Sequence, residues 1–215
     1  MKSQDILLLL KLVALECAAA TPAGLTGAGA RNEAGREPNA ELDALEDRDA
    51  ISPPEKPDLE SDPYSVRALS ATTGLSKSEV SNALGRCYES SLAKPQRRGG
   101  APIVNRRGLE EFLSYGVRFV FPTKVLGLAR GIPTGLTAPI FKGELKSAGE
   151  QIPVWPDPRS DTLGLAVEPL YKTVPIAIRS DPMLYMLLAC VDSIRIGQPR
   201  ERGLAVKRLQ QLFDF

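Results

Sequence analysis

A turn between two short helices, at Gly74, is the feature of this sequence that most constrains its fold. Val66, Leu69 and Thr73 recur at helical spacing and predict a first helix with one apolar side. Gly74 follows directly, and glycine readily takes the left-handed backbone conformation that ends a helix. The signals for a second helix begin within two residues, so the sequence predicts two helices joined by a sharp turn.

The start of the second helix is strongly marked. Ser76 and Glu79 match the S-x-x-E pattern of a capping box, in which the two side chains satisfy otherwise free backbone N–H groups. Leu75 and Val80 occupy the flanking positions where apolar side chains pack across the first turn. Since a helix cap contributes about 1 kcal/mol, we expect the helix Ser76–Arg86 to begin at a fixed point.

The two sides of this second helix differ in chemistry. The side predicted to be buried carries Val80, Ala83, Leu84 and Cys87. The other side is small, polar and basic, and carries Lys77, Ser78, Ser81, Asn82 and Arg86. That composition suits a helix in the major groove of DNA, where serine and asparagine contact base edges or phosphates and cations neutralise phosphates. The Asn82 amide has the geometry to pair with adenine through two hydrogen bonds.

A basic loop follows the second helix. It contains Arg97 and Arg98 before a pair of glycines, and Arg106 and Arg107 come shortly afterwards. We interpret this loop as a wing that reaches phosphates or the minor groove, and a solvated basic loop is the alternative. Phosphate contacts would make DNA affinity fall steeply with salt. The predicted DNA-binding side chains are therefore Ser76, Lys77, Ser78, Ser81, Asn82, Arg86, Arg97, Arg98, Arg106 and Arg107.

The segment Leu69–Leu84 resembles the helix-turn-helix of bacterial winged helix-turn-helix transcription regulators, the MarR-like group in particular. The pattern of that group, roughly L-A-x-x-x-G-L-S-x-S-x-V-S-x-A-L, is matched by Leu69, Gly74, Leu75, Ser76, Ser78, Val80, Ser81, Ala83 and Leu84. Ser70 stands where the group usually has alanine. The resemblance implies that Ser76–Arg86 is the recognition helix and that Gln4–Ala19 is the first helix of the same domain.

Charge is distributed unevenly along the 215 residues, whose net charge is only +1. Residues 21–63 contain 4 basic and 11 acidic side chains, a net charge of −7, whereas residues 64–130 contain 11 basic and 4 acidic ones, a net charge of +7. Fields of exposed charges act over about 8–10 Å, so the local excess matters more than the total. We expect residues 21–63 to be a solvated, disordered insertion. The alternative is an acidic arm that folds over the basic surface when DNA is absent.

The periodicity predicts an α+β fold. We expect an N-terminal winged helix-turn-helix domain over residues 1–121, with the insertion 21–63, and a smaller loop-rich region over residues 122–215 that ends in two helices. Helices are predicted at Gln4–Ala19, Arg106–Tyr115, Met183–Ile194 and Arg200–Leu212. Strands are predicted at Ile103–Val104 and Val117–Phe121, and short strands or irregular structure at Ile152–Trp155, Leu163–Val167 and Val174–Ile178. The segment Gly127–Gly135 is interpreted as structural turns, with an anion or partner contact as the alternative.

The composition argues against several other kinds of function. The chain has no histidine, the commonest general base and zinc nitrogen ligand, so we expect no catalytic residue, metal or cofactor. The three cysteines are interpreted as buried, reduced thiols of a cytoplasmic protein: Cys17, Cys87 and Cys190. Asp5, Lys11 and Glu16 interrupt the apolar N-terminus, so neither a signal peptide nor a membrane span is expected there.

These observations predict a transcription regulator that binds double-stranded DNA sequence-specifically, most simply as a repressor and as a homodimer. Residues 122–215 would serve dimer or protein-partner contacts. The sequence leaves two alternatives open. One is an antitoxin-type protein that binds its own promoter and masks a partner toxin through residues 122–215. The other is a small-ligand receptor or an enzyme built on the same C-terminal region.

Overall fold

A computed structural model of the chain describes residues 1–20, 62–96, 100–142 and 152–214. These residues form an α+β fold in which helices surround a central N-terminal helix, beside a two-stranded hairpin and a small three-stranded sheet. The chain ends in two helices, as predicted. One cluster of buried apolar side chains reaches from the first helix to Phe213, so residues on both sides of position 121 share a core.

Helix α1, Ser3–Ala20, lies at the centre of this core. Every side chain from Ile6 to Val13 is buried, because helices packed against α1 cover all of its sides. A helix that is apolar all round is typical of such a position. The predicted helix Gln4–Ala19 is confirmed within one residue at each end. Among the described residues, none of the helices combines the length and apolar character needed to cross a membrane.

The predicted pair of helices follows, with a hairpin after it. Helix α2 spans Val66–Thr73 and helix α3 spans Lys77–Glu89. Strands β1, Ala93–Lys94, and β2, Ile103–Val104, then pair in antiparallel register. The strand prediction at Ile103–Val104 is confirmed. Val66 does not join the buried stripe of α2, because its side chain lies on the exposed side of the helix.

A single helical segment follows β2. Helix α4, Arg106–Glu111, continues through a π-helical turn, Phe112–Gly116, into helix α5, Val117–Val120. The predicted strand at Val117–Phe121 is therefore wrong. Leu109, Leu113 and Val117 recur every four residues and are fully buried, so tertiary burial on one helical side outweighs the strand propensity of valine.

The small sheet consists of β3, Val125–Pro133, β4, Pro153–Pro156, and β5, Leu163–Val167. Strand β3 pairs antiparallel with β5 along its first half and with β4 along its second half, while β4 and β5 pair in parallel and close the sheet. The strand predictions in the β4 and β5 regions are confirmed. The predicted turns over Gly127–Gly135 are wrong, because β3 runs through most of that segment.

Helical structure returns after the sheet. The predicted strand at Val174–Ile178 is wrong, because Val174–Ala177 forms the short helix α6, with a proline at its start. Helices α7, Pro182–Ile196, and α8, Pro199–Phe213, confirm the two predicted C-terminal helices. The Asp181 side chain caps α7 by accepting a hydrogen bond of 2.9 Å from the Leu184 N–H.

A buried carboxylate joins the sheet to α7. Asp192 accepts hydrogen bonds from Trp155 Nε1 and Thr134 Oγ1, at 2.5 and 3.2 Å, and an ion-paired hydrogen bond of 2.6 Å from Arg195. Burial raises the pKa of Asp192, and the positive charge of Arg195 lowers it by a smaller amount. Trp155 is almost completely buried. The sheet is thus held against α7 by polar contacts as well as by apolar packing.

Candidate nucleic-acid interface

Helix α3 divides sharply into a buried and an exposed side. Val80, Ala83 and Cys87 are no more than 1% exposed and attach the helix to the core. The opposite side is solvent-exposed, and we call it the outer face of α3: Lys77, Ser78, Ser81 and Asn82. The structure therefore brings four of the predicted DNA-binding residues together on one accessible surface.

The first turn of α3 is held by the predicted capping box. Ser76 Oγ accepts a hydrogen bond of 3.2 Å from the Glu79 N–H, and Glu79 Oε2 accepts one of 2.8 Å from the Ser76 N–H. The bond from the Ser76 N–H is the main reason that the pKa of Glu79 lies below its ordinary value. Gly74 ends α2 with a φ of 70°, the left-handed conformation expected there. The start of the outer face is thus fixed by local hydrogen bonds.

Arg86 has a partner inside the protein. Its Nε and Nη2 atoms donate to the two carboxylate oxygens of Asp5 at 2.9 and 2.6 Å, and the Asp5 side chain is 0% exposed. The hydrogen bond that it donates to Asp5 raises the pKa of the Arg86 guanidinium. We therefore reassign Arg86 from a phosphate contact to the side chain that positions α3 on α1.

Arg106 is engaged in the same way, at the other end of α1. Its Nε and Nη2 donate to Glu16 at 3.0 and 2.8 Å, and its Nη1 donates to the Phe213 carbonyl at 3.2 Å. These contacts join α1, α4 and the end of α8, which is a structural role. Arg107 differs, because its side chain is 89% exposed and pairs only with Glu111 one turn later. Arg97 and Arg98 lie outside the described residues.

The C-terminal region contributes side chains beside α3 that the sequence analysis missed. The Tyr171 hydroxyl donates a hydrogen bond of 2.9 Å to Glu79 Oε1. Thr173 packs at the turn, where a Cβ added to Gly74 would lie 3.1 Å from the Thr173 Cβ. Lys172, between them, is exposed, with its Nζ 6.0 Å from the Tyr171 ring centroid. These residues buttress the turn and place one more cation near the start of α3.

The hairpin adds a further cation next to α3. A backbone hydrogen bond of 3.1 Å from the Leu92 N–H to the Cys87 carbonyl connects the end of α3 to β1. Lys94, on β1, is exposed. Exposed cations therefore lie on both the hairpin and the outer face of α3. Among the described residues, no three His, Cys, Asp or Glu side chains are grouped as a metal ion would need.

The cysteines near this surface are buried. Cys17, Cys87 and Cys190 are free thiols in the core, as predicted. Burial raises the pKa of both Cys87 and Cys190 to about 12. Since the thiolate is the reactive form, these two side chains are packing residues.

Comparison of the chain with protein-family models, curated proteins and solved structures found no match. The resemblance to MarR-like regulators therefore rests on the residues of the segment Leu69–Leu84. The proposals below depend on the geometry and chemistry of this chain alone.

Proposed function

We propose that this protein is a winged helix-turn-helix regulator that binds double-stranded DNA sequence-specifically and represses transcription as a homodimer. One observation carries the proposal: α3 exposes Lys77, Ser78, Ser81 and Asn82 on one side, while its opposite side is no more than 1% exposed. A surface helix that is firmly attached and free of bulky groups on its outer face can be presented to a groove without rearrangement.

The dimensions and chemistry of α3 suit the major groove. Its 13 residues span about 20 Å at a rise of about 1.5 Å per residue, and the major groove is about 12 Å wide and about 8.5 Å deep. The small side chains of Ser78 and Ser81 allow close approach to the duplex. Asn82 lies on the same side, one turn into the helix, where its amide can pair with the N6 and N7 atoms of adenine.

Cations around α3 supply the contacts to the backbone. Lys77 is on the outer face, Lys94 is on the hairpin, and Lys172 lies at the start of α3. With the predicted wing residues Arg97 and Arg98, five cations would face phosphates. Each phosphate contact contributes about 0.9 to the slope of log affinity against log salt, so the slope should be about −4.5.

Selection of bound duplexes from a random pool, at low and at high salt, tests the proposal. A shared sequence should be enriched at both salt concentrations. Asn82→Ala should lose the preference among sequences but retain weak binding. The double variant Arg97→Ala, Arg98→Ala should keep the preference and reduce the salt slope by about 2. Lys207→Ala, an exposed cation on α8, is the matched control and should leave both properties unchanged.

Two outcomes would contradict this division of roles. One is a purified protein that ignores duplexes even in dilute buffer. The other is equal behaviour of the Asn82 variant and the double arginine variant on every sequence. Repression is tested separately by placing the selected sequence across a promoter in a purified transcription reaction, where added protein should lower the yield of transcript.

A further inference from the structure

An exposed apolar surface lies on the small sheet, away from the charged residues of α3. In the register of β3 and β5, Val125 is opposite Val167. Leu128 is opposite Leu165 in the same ladder. Directly opposed residues share one face of a sheet, and Val125, Leu128 and Leu163 are 54%, 63% and 62% exposed. We call this surface the apolar sheet face and define it by Val125, Leu128, Leu163 and Leu165.

A pocket opens in the apolar sheet face. It has a volume of about 210 Å³, and its apolar lining includes Val125, Leu136, Leu165, Val167 and Ile196. A closed apolar cavity of about 150 Å³ in a protein is large enough to bind benzene. The pocket therefore has room for an aromatic side chain, and its lining also includes the polar side chains of Thr137, Ser193 and Glu201.

An exposed aromatic side chain is present on the neighbouring part of the chain. Phe119, near the end of α5, is 73% exposed. The nearby Phe121 carbonyl accepts a hydrogen bond of 2.9 Å from Arg195 Nε, and the residue after Arg195 is Ile196, which lines the pocket. The segment that carries the exposed ring thus contacts α7, the helix whose last residue lines the pocket.

We propose that two copies of this chain pair through the apolar sheet face, with Phe119 of each copy seated in the pocket of the other. In a two-fold contact both copies use the same surface, so each copy must carry both the inserted side chain and the pocket that receives it. This chain carries both the exposed Phe119 ring and the pocket. The inference rests on the proposed function, because the paired copies would present two α3 helices to two half-sites of DNA. The pairing itself takes place without DNA.

The exposed area agrees with a contact of this kind. Six apolar side chains of α5, β3 and β5 are 49–73% exposed: Phe119, Val120, Val125, Leu126, Leu128 and Leu163. At these exposures each presents on the order of 100 Å², or roughly 600 Å² together. The largest apolar patches on monomers reach about 300–600 Å². A standard interface takes about 800 Å² from each partner, a little over half of it apolar.

The charges next to this surface favour a second copy over a partner of one charge sign. Both basic and acidic residues lie close in sequence to these exposed apolar residues: Arg118, Lys124, Arg130, Asp161 and Glu168. In a two-fold contact the charged residues around the surface of one copy face the same residues of the other copy. If all of these residues had the same charge sign, the two copies would repel each other. A rim that carries both signs can form opposite-charge pairs across the two-fold axis.

Analytical ultracentrifugation of the full chain without DNA tests the inference. The unmodified protein should sediment as a dimer at micromolar concentrations. Phe119→Lys and Val125→Glu, the second in the pocket lining, should each weaken dimerisation by about 30-fold or more, the range of an interface hot spot. Ile176→Glu, at a residue of α6 that is 58% exposed, is the matched control and should leave the dimer unchanged.

Mixing the two variants tests whether the contact is reciprocal. In a mixed dimer the introduced ammonium faces the carboxylate introduced at the pocket, and at the second contact the native Phe119 faces the native Val125 of the pocket lining. The mixture should therefore form heterodimers although each variant alone is monomeric. Thermal melts by circular dichroism check that the variants are folded, and Phe119→Ala replaces the lysine variant if its melting temperature falls.

The inference would be overturned if the unmodified protein stayed monomeric at a concentration 100-fold above micromolar. It would also be overturned if the variants dimerised normally, or if the mixture formed no heterodimers. A dimer that fails to select DNA would count against the proposed function alone. A monomer that still selects DNA would leave the proposed DNA binding intact, remove the homodimer from the proposal, and assign the apolar sheet face to a different protein, such as a partner toxin.

Discussion

Replacing Arg86 by alanine separates two roles for this side chain, a phosphate contact or a structural ion pair. In the structure Arg86 binds both oxygens of the Asp5 carboxylate, which is completely buried. After the replacement, the Lys2 N–H, at 2.6 Å, stays as a hydrogen-bond donor to that carboxylate. The variant therefore leaves a buried negative charge without its cation.

The expected loss of stability is large. Removing one partner of a buried ion pair costs about 3–5 kcal/mol. The Arg86 side chain is 24% exposed, so water can partly reach the gap and we expect the lower end, about 3 kcal/mol. With a urea m-value of about 3 kcal/mol per molar, the unfolding midpoint should fall by about 1 M. Arg86→Lys keeps the charge but loses the bidentate contact, so its unfolding midpoint should lie between those of the unmodified protein and Arg86→Ala.

Urea unfolding followed by circular dichroism measures this shift, with Arg107→Ala as the control. Arg107 is also an arginine in an ion pair, but its side chain is 89% exposed, so its removal should leave the midpoint unchanged. A double-mutant cycle of Arg86→Met and Asp5→Leu should give a coupling energy of about 2 kcal/mol or more. The reasoning would be refuted if Arg86→Ala unfolded at the same urea concentration as Arg107→Ala.

Three further predictions follow from the region around α3. Gly74→Ala should destabilise by about 1–2 kcal/mol, because φ is 70° and a threonine side chain leaves little room, whereas Gly85→Ala, with nothing within 4 Å, should stabilise by about 0.5–1 kcal/mol; thermal melts compare them. The pKa of Glu79 is lowered, so the stability that its carboxylate contributes is complete above the ordinary pKa of 4.5 and is lost as pH falls through the lowered value. Glu79→Gln should therefore reduce the fall of the melting temperature with decreasing pH. A variant whose melting temperature depends on pH as in the unmodified protein would refute this. Cys87 and Cys190 should resist a thiol reagent at pH 8 until the protein is unfolded, and peptide mapping that finds either one labelled in the folded state would contradict their burial.

The elements that could be predicted are those whose signals lie within a few residues. The capping box of Ser76 and Glu79 and the helix end at Gly74 both join groups within one helical turn. Such hydrogen bonds depend on local geometry, so the residue types and their spacing are sufficient. The polar outer face of α3 was predictable for the same reason, since helical periodicity alone separates it from the buried side.

Predictions failed where a distant part of the chain decided the outcome. Val117–Val120 and Val174–Ala177 have strand-like composition, yet both are helical, and the helical conformation buries Val117, Val174 and Ala177. The strand β3, Val125–Pro133, depends on pairing with β4 and β5, and no local sequence pattern indicates that pairing. Intrinsic strand preference is weak and yields to the packing environment.

The sequence by itself determined where α3 begins and which side of it is polar, since both follow from contacts a few residues apart. Only the tertiary structure decided what the arginines do, because their partners are far away in the chain: Asp5 is 81 residues from Arg86, and Glu16 is 90 residues from Arg106. The support of Glu79 by Tyr171, across 92 residues, is of the same kind. Whether a cation faces solvent or a buried carboxylate depends on how distant segments pack, and residue spacing along the chain does not contain that information.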